Sequence, residues 1–144
     1  MRTIKFRGKT KQGEWVVGYY VGKSSLDEVA ILSPTNVNYD IGYINDSECC
    51  YCIADTIGQL TSLYDCHGKE IYEGDLLVCD EVPKILSEVY WNCSMSAFCF
   101  AVHTITEGID YGTTPLGDVL NKFKSLHIVG NIHDNHELLK GGEK

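Results

Sequence analysis

No apolar run in this 144-residue chain approaches the ~18 residues that a membrane-spanning helix needs, so no membrane partner is expected. The opening Met1-Arg2-Thr3-Ile4-Lys5-Phe6-Arg7 alternates charged and apolar residues and lacks the continuous apolar stretch of a signal peptide. Phosphate-cradling fingerprints are missing: there is neither a G-x-x-x-x-G-K-[ST] loop nor a G-x-G-x-x-G turn. No G-x-S-x-G nucleophile elbow occurs. Internal repeats and low-complexity tracts are also absent. Basic residues are scarce, 12 Lys+Arg against 20 Asp+Glu, for a formal net charge of -8. An acidic chain is poorly matched to nucleic acid, because neutralising phosphates supplies most non-specific affinity.

What is present suits a globular protein. Hydrophobic residues make up 44% of the chain, and a chain of this length suits one domain or two very small ones. It buries enough surface to fold without disulfides. The charge is unevenly spread. Residues 1–23 carry six Lys/Arg against one acid, residues 24–121 two against sixteen, and residues 122–144 four against three. The segments therefore carry +5, -14 and +1, a polarised chain whose basic front and acidic middle are complementary. Lys5, Arg7, Lys9 and Lys11 alternate along a predicted strand and would share one face.

The seven cysteines are an odd number, which argues against a disulfide framework and fits a reducing, cytoplasmic setting. Cys49, Cys50 and Cys52 cluster, and Cys49 and Cys52 fall at C-x2-C spacing, but no second zinc knuckle follows. They read as small buried hydrophobes. His133 and His136 are three apart, with no third ligand nearby in sequence, and read as a surface pair. No metal or cofactor is expected.

Most segments alternate with period two, the signature of strands. Residues 3–22 read as a β-hairpin turning at Thr10-Lys11-Gln12-Gly13, with Trp15, Val17, Tyr19 and Val21 along one face of its second strand. Strands are expected at 29–32, 50–57, 76–79, 85–91, 97–103 and 126–132, and a loop around Asn36 to Asp46. Glu73-Gly74-Asp75 predicts a tight corner, with Gly74 at positive φ. One helix is signalled: Thr114 at the N-cap, Pro115 at N1, then Leu116, Val119, Leu120 and Phe123 as an apolar stripe. A helical turn near Asp134 or Asn135 and a frayed tail at 141–144 close the chain. The fold expected is mainly β: small SH3-like, barrel-type antiparallel sheets with that helix. The chain divides into an N-terminal β region at 1–57 and a C-terminal barrel-type region at 58–140, which could also form one unit.

Catalytic groupings are thin. Glu73 and Asp75 are paired carboxylates that could act as acid and base, but acids beside a glycine corner more often cap turns. Asp55, Asp65 and Asp80 could join them around a divalent cation, though nothing in the sequence brings them together. Cys/His pairs are plentiful in combination, and only the fold decides which of them meet.

The run Thr56 to Asp75, TIGQLTSLYDCHGKEIYEGD, resembles the signature of the YopX family of phage and prophage proteins. Arg2 to Arg7 resembles the family's opening Arg-x-Ile-Lys-Phe-Arg, and Ile128 to Leu139 its closing Ile-Gly-Asn-Ile-Tyr-Asp-Asn-Pro-Glu-Leu. The three blocks occur in order and nearly span the chain. Two departures stand out: Ser62 where the family has Gly, which argues against a positive-φ turn there, and His136 where it has Pro. The resemblance implies a small β protein of temperate phages that self-associates, with no catalytic set to carry over. Gly58, Gln59, Gly68, Lys69, Ile71, Tyr72, Glu73, Gly74, Asp75, Gly130 and Asn131 are then fold determinants. The expected role is a non-enzymatic homo-oligomer that binds a phage or host macromolecule. One alternative is nucleic-acid binding through Lys5, Arg7, Lys9 and Lys11, with Trp15 or Tyr19 stacking on bases. Others are an acidic decoy of host DNA-binding proteins and an enzyme centred on Glu73 and Asp75.

Overall fold

A computed structural model describes residues 1–33, 49–104 and 108–139. The expected loop around Asn36 to Asp46 and the tail at 141–144 lie outside them. The chain forms two compact units, Met1–Leu60 and Thr61–Lys144.

In the first unit, β1 (Phe6–Lys9) and β2 (Trp15–Lys23) form the predicted hairpin, with Arg7 opposite Val17 and Lys9 opposite Trp15. Its turn is closed by the Gly13 N–H donating to the Thr10 carbonyl at 2.9 Å. β3 (Glu28–Leu32) pairs with β2, and β4 (Cys49–Ile53) with β3. The predicted strand at 50–57 stops early. Ala54–Thr56 forms a 3-10 turn in which the Thr56 hydroxyl donates to the Ile53 carbonyl and accepts from the Lys9 N–H. β5 (Gly58–Tyr64) then pairs through Gly58 and Gln59 with Arg7 and Phe6, so the order is β4-β3-β2-β1-β5.

The core of this unit is Val29, Ile31 and Cys52, with Phe6, Val16, Ala54 and Ile57 packed on it. It therefore lies on the Val16 face of β2. The alternating Trp15, Val17 and Tyr19 stripe is the outer face, and a bulge between Tyr20 and Gly22 interrupts it at Val21. Glycines mark the inner face. A Cβ on Gly18 would collide with the Leu32 backbone, and one on Gly8 would meet Ile57 Cδ1 at 2.5 Å.

The second unit contains the rest of β5 with β6 (Glu70–Tyr72), and a five-stranded antiparallel sheet in the order β10-β9-β8-β7-β11. Its strands are β7 (Asp75–Val78), β8 (Leu86–Asn92), β9 (Ala97–Thr104), β10 (Gly108–Pro115) and β11 (His127–Asn131). Neither sheet closes on itself among the described residues, so the mainly β expectation stands in open rather than barrel form. The reason is pairing: β10 and β11 occupy opposite edges.

The helix α1 spans Leu116–Lys122, one residue later than its sequence signals place it. Pro115 still pairs with Cys99 as the last residue of β10, so Pro115 takes the N-cap position and Thr114 does not cap. The apolar stripe is as read. Leu116 and Val119 are buried, and Leu120 and Phe123 pack on a core of Ile71, Leu77, Cys79, Val89 and Leu126. A last helical turn, α2, covers His136–Leu139.

Candidate functional site

Cross-strand partners in an antiparallel pair project to the same side. The β1–β2 register therefore puts Arg7 and Lys9 on the outer face beside Trp15 and Val17. The Arg7 guanidinium sits 4.9 Å from the Trp15 ring centroid, a cation–π distance. Val17, Tyr19 and Val21 stay 39%, 41% and 43% exposed. Lys11 leaves this row. It belongs to the turn and pairs with Glu28 at 2.7 Å; that hydrogen bond, then the Glu28 charge, raise its pKa. Lys5 precedes β1, and its carbonyl accepts the Leu60 N–H at 2.9 Å. An open depression of about 300 Å³ lies beside the turn, lined by Thr10, Lys11, Gln12, Glu28, Cys50 and Tyr51.

The family-motif residues occupy structural positions. Gly74 has φ +88 and ties β8 to the residue that follows β11: its N–H donates to the Val89 carbonyl, and its carbonyl accepts from the Ile132 N–H. Asp75 is 2% exposed, and its Oδ2 accepts the Tyr72 N–H at 2.8 Å. Ile71 is fully buried, and its carbonyl accepts the Thr61 hydroxyl at 2.8 Å. The Tyr72 hydroxyl donates to Glu70. Glu73 is half-buried at the corner. Gly130 lies across from Leu76, and Asn131 Oδ1 accepts the N–H groups of His133 and Asp134. Ser62, contrary to expectation, takes φ +65 despite its Cβ.

The β5–β6 turn holds chemistry that the sequence did not expose. Asp65 Oδ1 accepts the N–H groups of His67 and Lys69, each at 2.9 Å, and Gly68 closes the turn at φ +79. Asp65 Oδ2 reaches β11 and accepts the Ile128 N–H, while the Cys66 N–H donates to the Leu126 carbonyl. Partial burial pushes the Asp65 pKa up, but the N–H groups of Lys69, Ile128 and His67 outweigh it and hold it low. This double stitch brings Cys66, His67 and His127 together, with one ligand atom from each within 4.8 Å of the others. The two imidazole centroids are 5.7 Å apart. Partial desolvation, then the charges of Asp65 and Asp80, raise the Cys66 pKa.

Among the described residues, neither Glu73 with Asp75 nor His133 with His136 belongs to such a cluster. Asp55 lies in the 3-10 turn of the first unit, and Asp80 lies 3.9 Å from His127 Nδ1. Of the cysteine run, Cys52 is fully buried and Cys49 and Cys50 partly so. The missed cluster joins residues sixty positions apart, so no local spacing could reveal it; the adjacency of Cys66 and His67 in a predicted turn was its one local sign.

A family model described as YopX protein matches residues 5–140. The crystal structure of protein EF1440 from Enterococcus faecalis is similar, with a TM-score of 0.54 and 23% identity over 96% of this chain and 99% of that one. At that identity the likeness concerns the fold. No curated protein matches the sequence.

Proposed function

We propose, starting from the fact that the chain belongs to the YopX family, that it is a non-enzymatic phage or prophage accessory protein of the bacterial cytoplasm that self-associates and binds another macromolecule. The observation that carries this reading is the outer face of β2. It exposes Val17 and Tyr19 side by side, next to the Arg7–Trp15 pair. Aromatic and arginine side chains dominate the centres of protein interfaces, because they desolvate large areas at little conformational cost. The motif that defines the family is engaged in its own corner, with Asp75 buried and bonded to the backbone, so it reads as a fold determinant and not as acid–base machinery. Light scattering coupled to size exclusion tests self-association: an oligomer at micromolar concentration that Val17→Glu with Tyr19→Glu dissociates is expected, and a monomer overturns it.

Nucleic-acid binding is the second reading, favoured by the same register: basic Arg7 and Lys9 lie beside Trp15, a groove-and-stack composition that suits single strands. Binding of a labelled oligonucleotide at low salt, lost in Arg7→Glu with Lys9→Glu, would support it. No binding at low salt removes it.

A further inference from the structure

We propose that Cys66, His67 and His127 form a divalent-metal site of the zinc class, built across the β5–β6 turn and the start of β11. One thiolate and two imidazoles are a donor set that borderline divalent metals favour and that magnesium and calcium do not. Tetrahedral zinc with bonds of about 2.0–2.3 Å spaces its ligand atoms about 3.3–3.6 Å apart. The three donors already lie within 4.8 Å, so side-chain rotation by about an ångström closes the site. Cys66 and His67 are exposed at the turn and His127 is half-buried, so two of the three side chains are little hindered in rotating.

The backbone beneath them is fixed. The Cys66 N–H to Leu126 bond and the Ile128 N–H to Asp65 bond flank the three donors on both segments. His127 carries the second support. Its Nδ1 lies 2.9 Å from the Ser125 carbonyl, which makes Nδ1 the protonated nitrogen and leaves the Nε2 lone pair for a metal. Metal-binding histidines are held in this way, by a carbonyl or carboxylate on the far nitrogen, and Asp80 stands 3.9 Å from the same Nδ1. Asp65, Asp80 and Glu81 all act electrostatically on Cys66, so the local field is negative and suits a dication. Three protein ligands leave a fourth position for water or an exchangeable ligand.

Cobalt titration of the metal-stripped, reduced full chain tests the site. Co2+ should give visible ligand-field bands and a near-ultraviolet thiolate charge-transfer band that saturate at one equivalent per chain, and Zn2+ should bleach both. Zinc should also raise Tm by a few degrees, since the preformed site binds it more tightly than the unfolded chain does. Cys66→Ser should abolish the charge-transfer band. His127→Gln should weaken binding by more than the ~10–100-fold that loss of an outer-shell partner costs. Cys93→Ser, an exposed thiol elsewhere, should change nothing. Cys66 is exposed, so its variant keeps the test open if His127→Gln fails to fold. No band at stoichiometric cobalt, saturation at half an equivalent, or a charge-transfer band that survives Cys66→Ser overturns the site.

Discussion

Ser62 carries the clearest local strain. A left-handed backbone costs a residue with a Cβ about 1–2 kcal/mol, and Ser62 sits at φ +65 within β5. Replacing it by Gly removes the clash but adds freedom to the unfolded chain, so Ser62→Gly should stabilise by about 0.5–1 kcal/mol and raise Tm, whereas Ser62→Ala should not. A lower Tm for the glycine variant would contradict this. Asp65 is the opposite case, one carboxylate accepting three backbone N–H groups. Asp65→Ala strands all three donors and should cost about 2–4 kcal/mol, measured as a urea midpoint. Cys52 ties stability to alkaline pH. Burial, then the nearby Cys50, push its pKa from an ordinary 9.0 to about 11. The unfolded thiol therefore ionises first, so the contribution is whole below pH 9 and declines as pH rises toward 11. Cys52→Ala should flatten that slope in urea titrations at rising pH.

Elements were legible where alternation or a 3.6-residue stripe decided them. The hairpin at β1 and β2, the corner at Gly74 and the α1 stripe follow directly from residue types. β10 did not, because its pairing with β9 arises from register and not from an alternating pattern of its own. That pairing also moves the start of α1 past Thr114. Which face of β2 is buried was equally hidden. The larger side chains lie outward, and the inner face is marked by Gly18, whose backbone approaches that of Leu32 closely. At β11, a Cβ on Gly130 would lie 2.6 Å from Asn135 Cγ and displace the side chain that accepts the Asn131 N–H. Gly130→Ala should therefore destabilise by about 1–3 kcal/mol, visible as a lower thermal midpoint.

For the whole molecule, the split of -8 into a basic front, an acidic middle and a near-neutral end has a consequence for assembly. If complementary charge contributes to self-association, ~1 M salt should shift the oligomer toward smaller species, because screening there is nearly complete. An oligomer whose mass by light scattering ignores salt would place the burden on the apolar β2 stripe alone. No helix among the described residues is long and apolar enough to cross a membrane, and the mainly β architecture follows from period-two alternation that any reader of the chain can count. The sequence by itself determined the hairpin and most of the other strands, the helix stripe, the glycine corner and the family, because each rests on residues close together along the chain. Only the tertiary structure decided which face of β2 is exposed and that Cys66, His67 and His127 meet, because both depend on hydrogen bonds between segments that pairing alone brings together.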